Sequence, residues 1–170
     1  MLELSIKYHQ YLAGLESLFI LGDFGVYNDA ISAMPKTLRL GNICEQGLPN
    51  YSGNITYLYE KELKKQAGEA VFLNLGKWAG VAIGVKVNNS PVQIIGWNPY
   101  KLDISKYVKS GKNKIEITVF GSRRNSHGPF YIDNDTPAWC GPNELGRFMH
   151  SSRNLVSVGL LEEPFIQVKK

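Results

Sequence analysis

Apolar and polar residues alternate with a period of two through almost the whole chain, and helical periodicity is nearly absent. A β-strand points successive side chains to opposite faces, so this pattern describes strands with one buried face and argues for a mainly antiparallel β domain. In LELSIKYH, Leu2, Leu4, Ile6 and Tyr8 share one face and Glu3, Ser5, Lys7 and His9 the other. Further strands are expected over 16–22, 37–44, 54–63, 69–75, 79–88, 91–96, 114–121, 154–161 and 164–169. Short strands punctuated by turn formers at this spacing specify an all-β sandwich or jelly roll. Asn88-Asn89 falls between two of them, and asparagine accepts the positive φ of a tight turn, which predicts a hairpin there. SKYVKSGKN allows one helical turn, capped by Asp103 or Ser105 and ended by Gly111, and PNELGRF a second from Pro142. Neither is long enough to define the architecture.

A chain of 170 residues suits one domain, 1–170, burying roughly 70% of the surface its unfolded form would expose. Hydrophobic residues at 44% and charged residues at 20%, without a low-complexity tract, describe an ordered globular chain. The net charge of +4 is spread over separate pairs, Lys64-Lys65, Arg123-Arg124 and Lys169-Lys170. Nucleic-acid binding needs a concentrated basic stripe, so no nucleic acid is expected as a partner. No run reaches the ~18 apolar residues of a membrane helix, and Glu3 and Lys7 interrupt what would be the apolar core of a signal peptide, so no membrane partner is expected either. Cys44 and Cys140 are too few for a disulfide framework and too far apart in sequence for a zinc site. They read as reduced thiols, with a bridge between them as the open alternative.

LGKWAGVAIGVKV has an unusual face. Val81, Ile83, Val85 and Val87 make an ordinary core stripe, while Gly76, Trp78, Gly80, Ala82 and Gly84 are expected to line the opposite side. Glycine in a strand often marks close approach by another backbone or a ligand. This face therefore reads as a shallow floor beside the Trp78 indole, either covered by another layer of protein or open as a ligand groove.

GLPNYSGNITYLYEKEL, FLNLGKWAGVAIGVKVNN and GWNPYKLDISKYVKSGKNKIEITV, in that order over residues 47–125, resemble the galactose-binding-like jelly-roll domain of family 2 glycoside hydrolases and of related multidomain glycosidases such as rhamnosidase-like enzymes. The family's usual Asn-Gly turn is replaced here by Asn88-Asn89. The resemblance implies that Trp97 and Tyr100 pack at the sandwich edge, that Pro99 fixes a turn and that Asp103 holds the next turn through its side chain. A sugar-stacking platform built on Trp97 and Tyr100 is the competing reading. GDFGV at 22–26 and RRNSHGP at 123–129 look similar to segments near the carboxyl end of large bacterial glycosidases, which implies that the chain is the carboxyl-terminal portion of such an enzyme.

Glycoside hydrolysis needs two carboxylates facing each other across the scissile bond. In the resembled enzymes that pair belongs to a separate barrel domain, and the spacing of Asp133, Asp135, Glu144, Glu162 and Glu163 sets no two of them across a cleft, so no catalytic residue is assigned. The resemblance brings structural calcium to mind for Asp133 to Asp135, but Pro137 and Ala138 stand where further ligands and a glycine would fall, so no metal and no other cofactor is assigned. His127 with Cys140, or His150 with Ser151 and Ser152, lack any elbow or oxyanion motif. Sugar binding is better served: Trp78 beside the glycine floor, with Arg123, Arg124, Asn125, His127, Asn134 and Trp139 in the long loop region, offers ring faces for C–H stacking and donors for hydroxyls. The competing reading has Asn125 and Gly128-Pro129 only building a turn and Trp139 plugging the sandwich. Three functions follow: a noncatalytic accessory domain that buttresses the catalytic domain of a parent glycosidase, a stand-alone carbohydrate-binding module, or a self-sufficient hydrolase. The first predicts an exposed apolar patch, or a homodimer formed through it.

Overall fold

The computed structural model describes residues 19–127 and 153–170, with the isolated positions Glu3, Ser5 and Lys7. Its strands are β1 (Phe24–Tyr27), β2 (Ala30–Ala33), β3 (Ile55–Leu63), β4 (Ala70–Asn74), β5 (Trp78–Ala79), β6 (Ala82–Val87), β7 (Gln93–Ile95), β8 (Lys101–Asp103), β9 (Gly111–Phe120), β10 (Gly159–Leu160) and β11 (Phe165–Lys169). A 3-10 turn spans Ile43–Gln46, and α1 (Arg124–His127) is a single helical turn. β3, β9, β6 and β7 form a four-stranded antiparallel sheet in that order, and β11, β4 and β8 a three-stranded one. The chain is an all-β sandwich.

The core is built by alternation. Val71, Leu73 and Leu75 at β4 meet Ile83, Val85 and Val87 of β6 and Ile115, Ile117 and Val119 of β9 in one buried cluster, which Ile95, Ile104, Val108 and Leu160 complete. Burying each such side chain fully contributes about 1.5–3 kcal/mol. β3 and β9 pair from Ile55↔Val119 to Leu63↔Gly111 without a break, so Tyr57, Tyr59, Ile115 and Ile117 share the inner face while Leu58, Glu116 and Thr118 face outward. A slip by one residue would turn the isoleucines to solvent, and this fixes the register.

The expected strands over 54–63, 69–75, 91–96, 114–121 and 164–169 are all present within a few residues. The expected hairpin at Asn88-Asn89 is there too, with β6 and β7 antiparallel and Asn88 at φ 52°. Asn88 does more than tolerate that conformation. Its amide donates to Tyr107 O at 2.8 Å and to Asn113 Oδ1 at 3.0 Å, and its Oδ1 accepts from Lys114 N at 3.0 Å. After β8, Asp103 Oδ1 accepts from Ser105 N at 2.9 Å, and Tyr107 and Val108 donate back to Ile104 O, making the one turn expected of this stretch.

Four expectations are corrected. Residues 37–44 form no strand: Asn42 caps the 3-10 turn by accepting from Cys44 N, while Gly41 N and Ile43 N donate across to Leu160 O and Val158 O and the Asn42 side chain accepts from Val158 N. The described part of 16–22 is not a strand either. The local hairpin is instead β1–β2, whose two-residue turn Asn28-Asp29 has φ 47° and 60°, the geometry that twists with its strands. The 79–88 strand is split. Gly80 lies against β9 so closely that a Cβ would sit 2.6 Å from Val119 Cγ1, and the chain steps out of the sheet there, dividing β5 from β6. Of 154–161, only β10 is strand, paired with β5. The strand expected over Leu2–His9 and the helix from Pro142 lie outside the described residues.

Candidate functional site

Among the described residues, the candidate sugar-binding side chains are not all at the surface. Asn125, at the start of α1, is 1% exposed. Its Nδ2 donates to Val156 O at 2.7 Å and to Cys44 Sγ at 3.2 Å, its Oδ1 accepts from Val156 N at 2.9 Å, and its carbonyl accepts from Asn50 Nδ2 at 2.8 Å. The side chain is a clamp joining α1, the 3-10 turn and the segment before β10, so it shapes the loop from inside. Burial pushes the Cys44 thiol above its usual range, and the Asn125 hydrogen bond only partly offsets this. Arg123 and His127 are exposed and Arg124 is half-buried. His127 Nδ1 lies 2.7 Å from Ser126 Oγ, and the ring stacks on Phe19 at 5.0 Å. Trp139 and Asn134 lie outside the described residues.

Trp78 is not on the glycine floor. The step at Gly80 inverts the alternation, so the indole packs against the core and meets Tyr100 edge-on at 5.1 Å and 75°. Gly84 does sit on the outer face, but it is covered from within: a Cβ there would lie 3.2 Å from both Phe120 Cε2 and Val92 Cγ1. Of the two readings of this floor, the open groove fails at Gly84, which neighbouring side chains cover. The rim also differs from expectation. Tyr100 packs as expected, with Leu75 N donating to its carbonyl at 3.0 Å, but Trp97 is 82% exposed. Ile95 is the last core residue of β7, and Trp97 follows after the chain has left the sheet; the Asn98–Pro99 peptide is cis.

Two other surfaces are more prominent. The first is the outer face of the four-stranded sheet. One row across it runs Ile94, Gly84, Thr118, Thr56. Ile94 is 62% exposed and Leu58, in the neighbouring row, 76%; Val92 is exposed beside them, with Phe120 lying over Gly84. Lys86–Glu116 at 3.6 Å and the Thr56–Thr118 hydroxyl pair at 2.9 Å interrupt this apolar surface. The alternation did carry a signal: Leu58 and Ile94 are apolar at positions that an ordinary solvated face fills with polar residues. The second surface is a groove of about 350 Å³ between the Asn88-Asn89 turn and the connection from β8 to β9, lined among others by Lys106, Tyr107 and Lys109.

Both described carboxylate candidates stand beside lysines. Glu162 Oε1 is 3.0 Å from Lys77 Nζ, and that hydrogen bond holds its carboxyl below the ordinary value; Glu163 is 3.7 Å from Lys61. A general acid needs the opposite shift. Among the described residues, no three His, Cys, Asp or Glu side chains are grouped to hold a metal ion, and no helix is long and apolar enough to cross a membrane. Asp133, Asp135, Cys140, Glu144 and His150 lie outside the described residues.

No protein-family model and no curated protein matches the chain. Among solved structures it is similar to a rhamnosidase from Novosphingobium sp. PP1Y, with 24% identity and a TM-score of 0.60, over 88% of this chain and 14% of that one. It is also similar to an FMN-binding β-glucuronidase from Facaelibacterium prausnitzii L2-6, with 15% identity and a TM-score of 0.36, over 68% of this chain and 15% of that one. The sandwich therefore recurs in a rhamnosidase of which it spans about 14%.

Proposed function

We propose that the chain is a noncatalytic accessory domain of a larger glycoside hydrolase, a single galactose-binding-like jelly roll that supports a catalytic domain through the outer face of its four-stranded sheet. The observation that carries this reading is the exposure of Leu58 and Ile94 on that face, with Val92 and Phe120 alongside. Side chains of this size gain about 1.5–3 kcal/mol each on full burial, and apolar residues that gather on one sheet face rather than scatter singly mark an interaction surface. The fold match to a small share of a rhamnosidase supports the same reading. The test is the reading frame around these codons: an in-frame or adjoining segment encoding a catalytic barrel is the expected result, and a frame with none removes the occupant of the face.

A second reading, a carbohydrate-binding module acting alone, is favoured by Trp97, whose indole is open to a sugar ring. Titration with neutral mono- and oligosaccharides, followed by tryptophan fluorescence, tests it. No change up to millimolar sugar removes that reading and leaves the first intact.

A further inference from the structure

The groove at the Asn88-Asn89 end of the sandwich has a rigid floor and uncommitted donors at its edge. Behind its lining lies a closed hydrogen-bond network. Asn113, 1% exposed, donates to Lys109 O at 2.8 Å and Gly111 O at 2.9 Å, and accepts from Lys109 N at 2.9 Å and Asn88 Nδ2 at 3.0 Å. Ser90 Oγ accepts from Val87 N at 3.0 Å and donates to Pro91 O at 3.0 Å. Those polar groups are spent, so a ligand would meet the side chains left over: Lys106, Lys109 and Asn89, all exposed, with half-buried Tyr107 and the Pro91 ring. Among the described residues neither lysine is in a salt bridge. Asp103, whose carboxyl accepts from Ser105, is the described acid whose charge reaches Lys106.

We propose that this groove binds a pyranose bearing an anionic group, a carboxylate or a sulfate. Two ammoniums three positions apart along one connection create a site for negative charge, offset only on the Lys106 side by the Asp103 carboxylate. An inorganic anion would use only those two groups. Tyr107 and Pro91 add apolar surface for ring C–H groups, and the Asn89 amide adds a donor and an acceptor for hydroxyls. The volume of about 350 Å³ lies near the lower end of the range for small-molecule sites, ~300–1,000 Å³, which suits one or two sugar rings rather than a long chain. Because the floor is already hydrogen-bonded, binding orders little but the lysine side chains.

The experiment is a titration of the full chain, labelled with ¹⁵N, with glucuronic acid, glucose 6-sulfate, glucose and inorganic sulfate. The Asn89 side-chain amide and the backbone amides of 106–109 are the readout. The expected result is saturable shifts there with both anionic sugars, at a Kd on the order of 1 mM. Glucose and inorganic sulfate are each expected to bind at least about threefold more weakly. Lys106→Gln and Lys109→Gln, both at exposed positions that leave the core intact, should each weaken binding about two- to fivefold, and a rise in salt from about 0.05 to about 0.3 M should weaken it further. Lys64→Gln, elsewhere on the surface, should change nothing. Equal affinity for inorganic sulfate and the anionic sugars, or no shift at Asn89 with either sugar, overturns the proposal. Because the readout is Asn89 rather than Trp97 or the outer sheet face, its failure is separable from failure of the two functional readings.

Discussion

Asn113→Ala puts the physical reasoning at greatest risk, because one buried amide organises the whole connection from β8 to β9. The substitution removes four hydrogen bonds of 2.8–3.0 Å, two donated to Lys109 O and Gly111 O and two accepted from Lys109 N and Asn88 Nδ2. At about 0.5–1.5 kcal/mol net for each bond the sum would be about 2–6 kcal/mol. Water reaches some of the freed groups, since Lys109 is exposed, and Asn88 keeps its bond to Tyr107 O, so the expected loss is about 2–4 kcal/mol. With a urea m-value of about 1–3 kcal/mol/M, the unfolding midpoint should fall by about 1–2 M with the slope unchanged. Asn113→Asp should lose at least as much at neutral pH, because a carboxylate would face the two carbonyls in place of the NH₂ donor. It should recover as pH falls: facing carbonyls raises the carboxyl's folded-state pKa, so the folded state gains stability once the group is protonated. A loss below about 1 kcal/mol for Asn113→Ala, or no acid recovery for the aspartate variant, would refute the network's role.

Three further outcomes follow from individual contacts. The Asp103 carboxyl is held below its ordinary value of 3.8, chiefly by the Ser105 side-chain hydrogen bond; a folded-state value depressed in this way adds stability above the unfolded pKa that is lost as pH falls through the folded one. Carbon-detected NMR titration should therefore show Asp103 ionising below 3.8, returning toward it in Ser105→Ala. Cys44, part-buried with its thiol raised by desolvation, should react with iodoacetamide at pH about 8 far more slowly than an unfolded-state cysteine, measured in Cys140→Ser so that one thiol remains. Finally, Leu58→Lys and Ile94→Lys should leave the unfolding free energy within about 0.5 kcal/mol while reducing binding of an anionic naphthalene dye to the native protein; a large destabilisation would mean that these side chains support the sandwich itself.

The fold was legible wherever a strand is long and one face is dry. β3, β4 and β9 follow clean alternation because Tyr57, Val71, Leu73, Ile115 and Ile117 all reach one core. Short elements were less legible. Asn28-Asp29 is a two-residue turn signal that the larger pattern concealed, and 37–44 alternates like a strand although Asn42 and the turn after it compete for its backbone. Trp78 was assigned to the wrong face for a reason no periodicity can reveal. The step at Gly80 depends on how closely β9 approaches, a tertiary contact. The candidate site was less legible than the fold: Asn125 looked like a ligand because it is polar and in a loop, yet its partners Cys44 and Val156 lie 81 and 31 positions away. Lys106, Tyr107 and Lys109 looked like an ordinary turn until the hairpin facing them closed the groove.

The proposed docking role of the outer sheet face is tested most directly by methyl NMR of this chain mixed with any catalytic segment that the surrounding reading frame encodes. Shifts confined to Leu58, Val92 and Ile94, with the Phe165 to Lys169 edge of the other sheet unchanged, are the expected result. Unmoved methyls on that face, or shifts centred on β11, would contradict it.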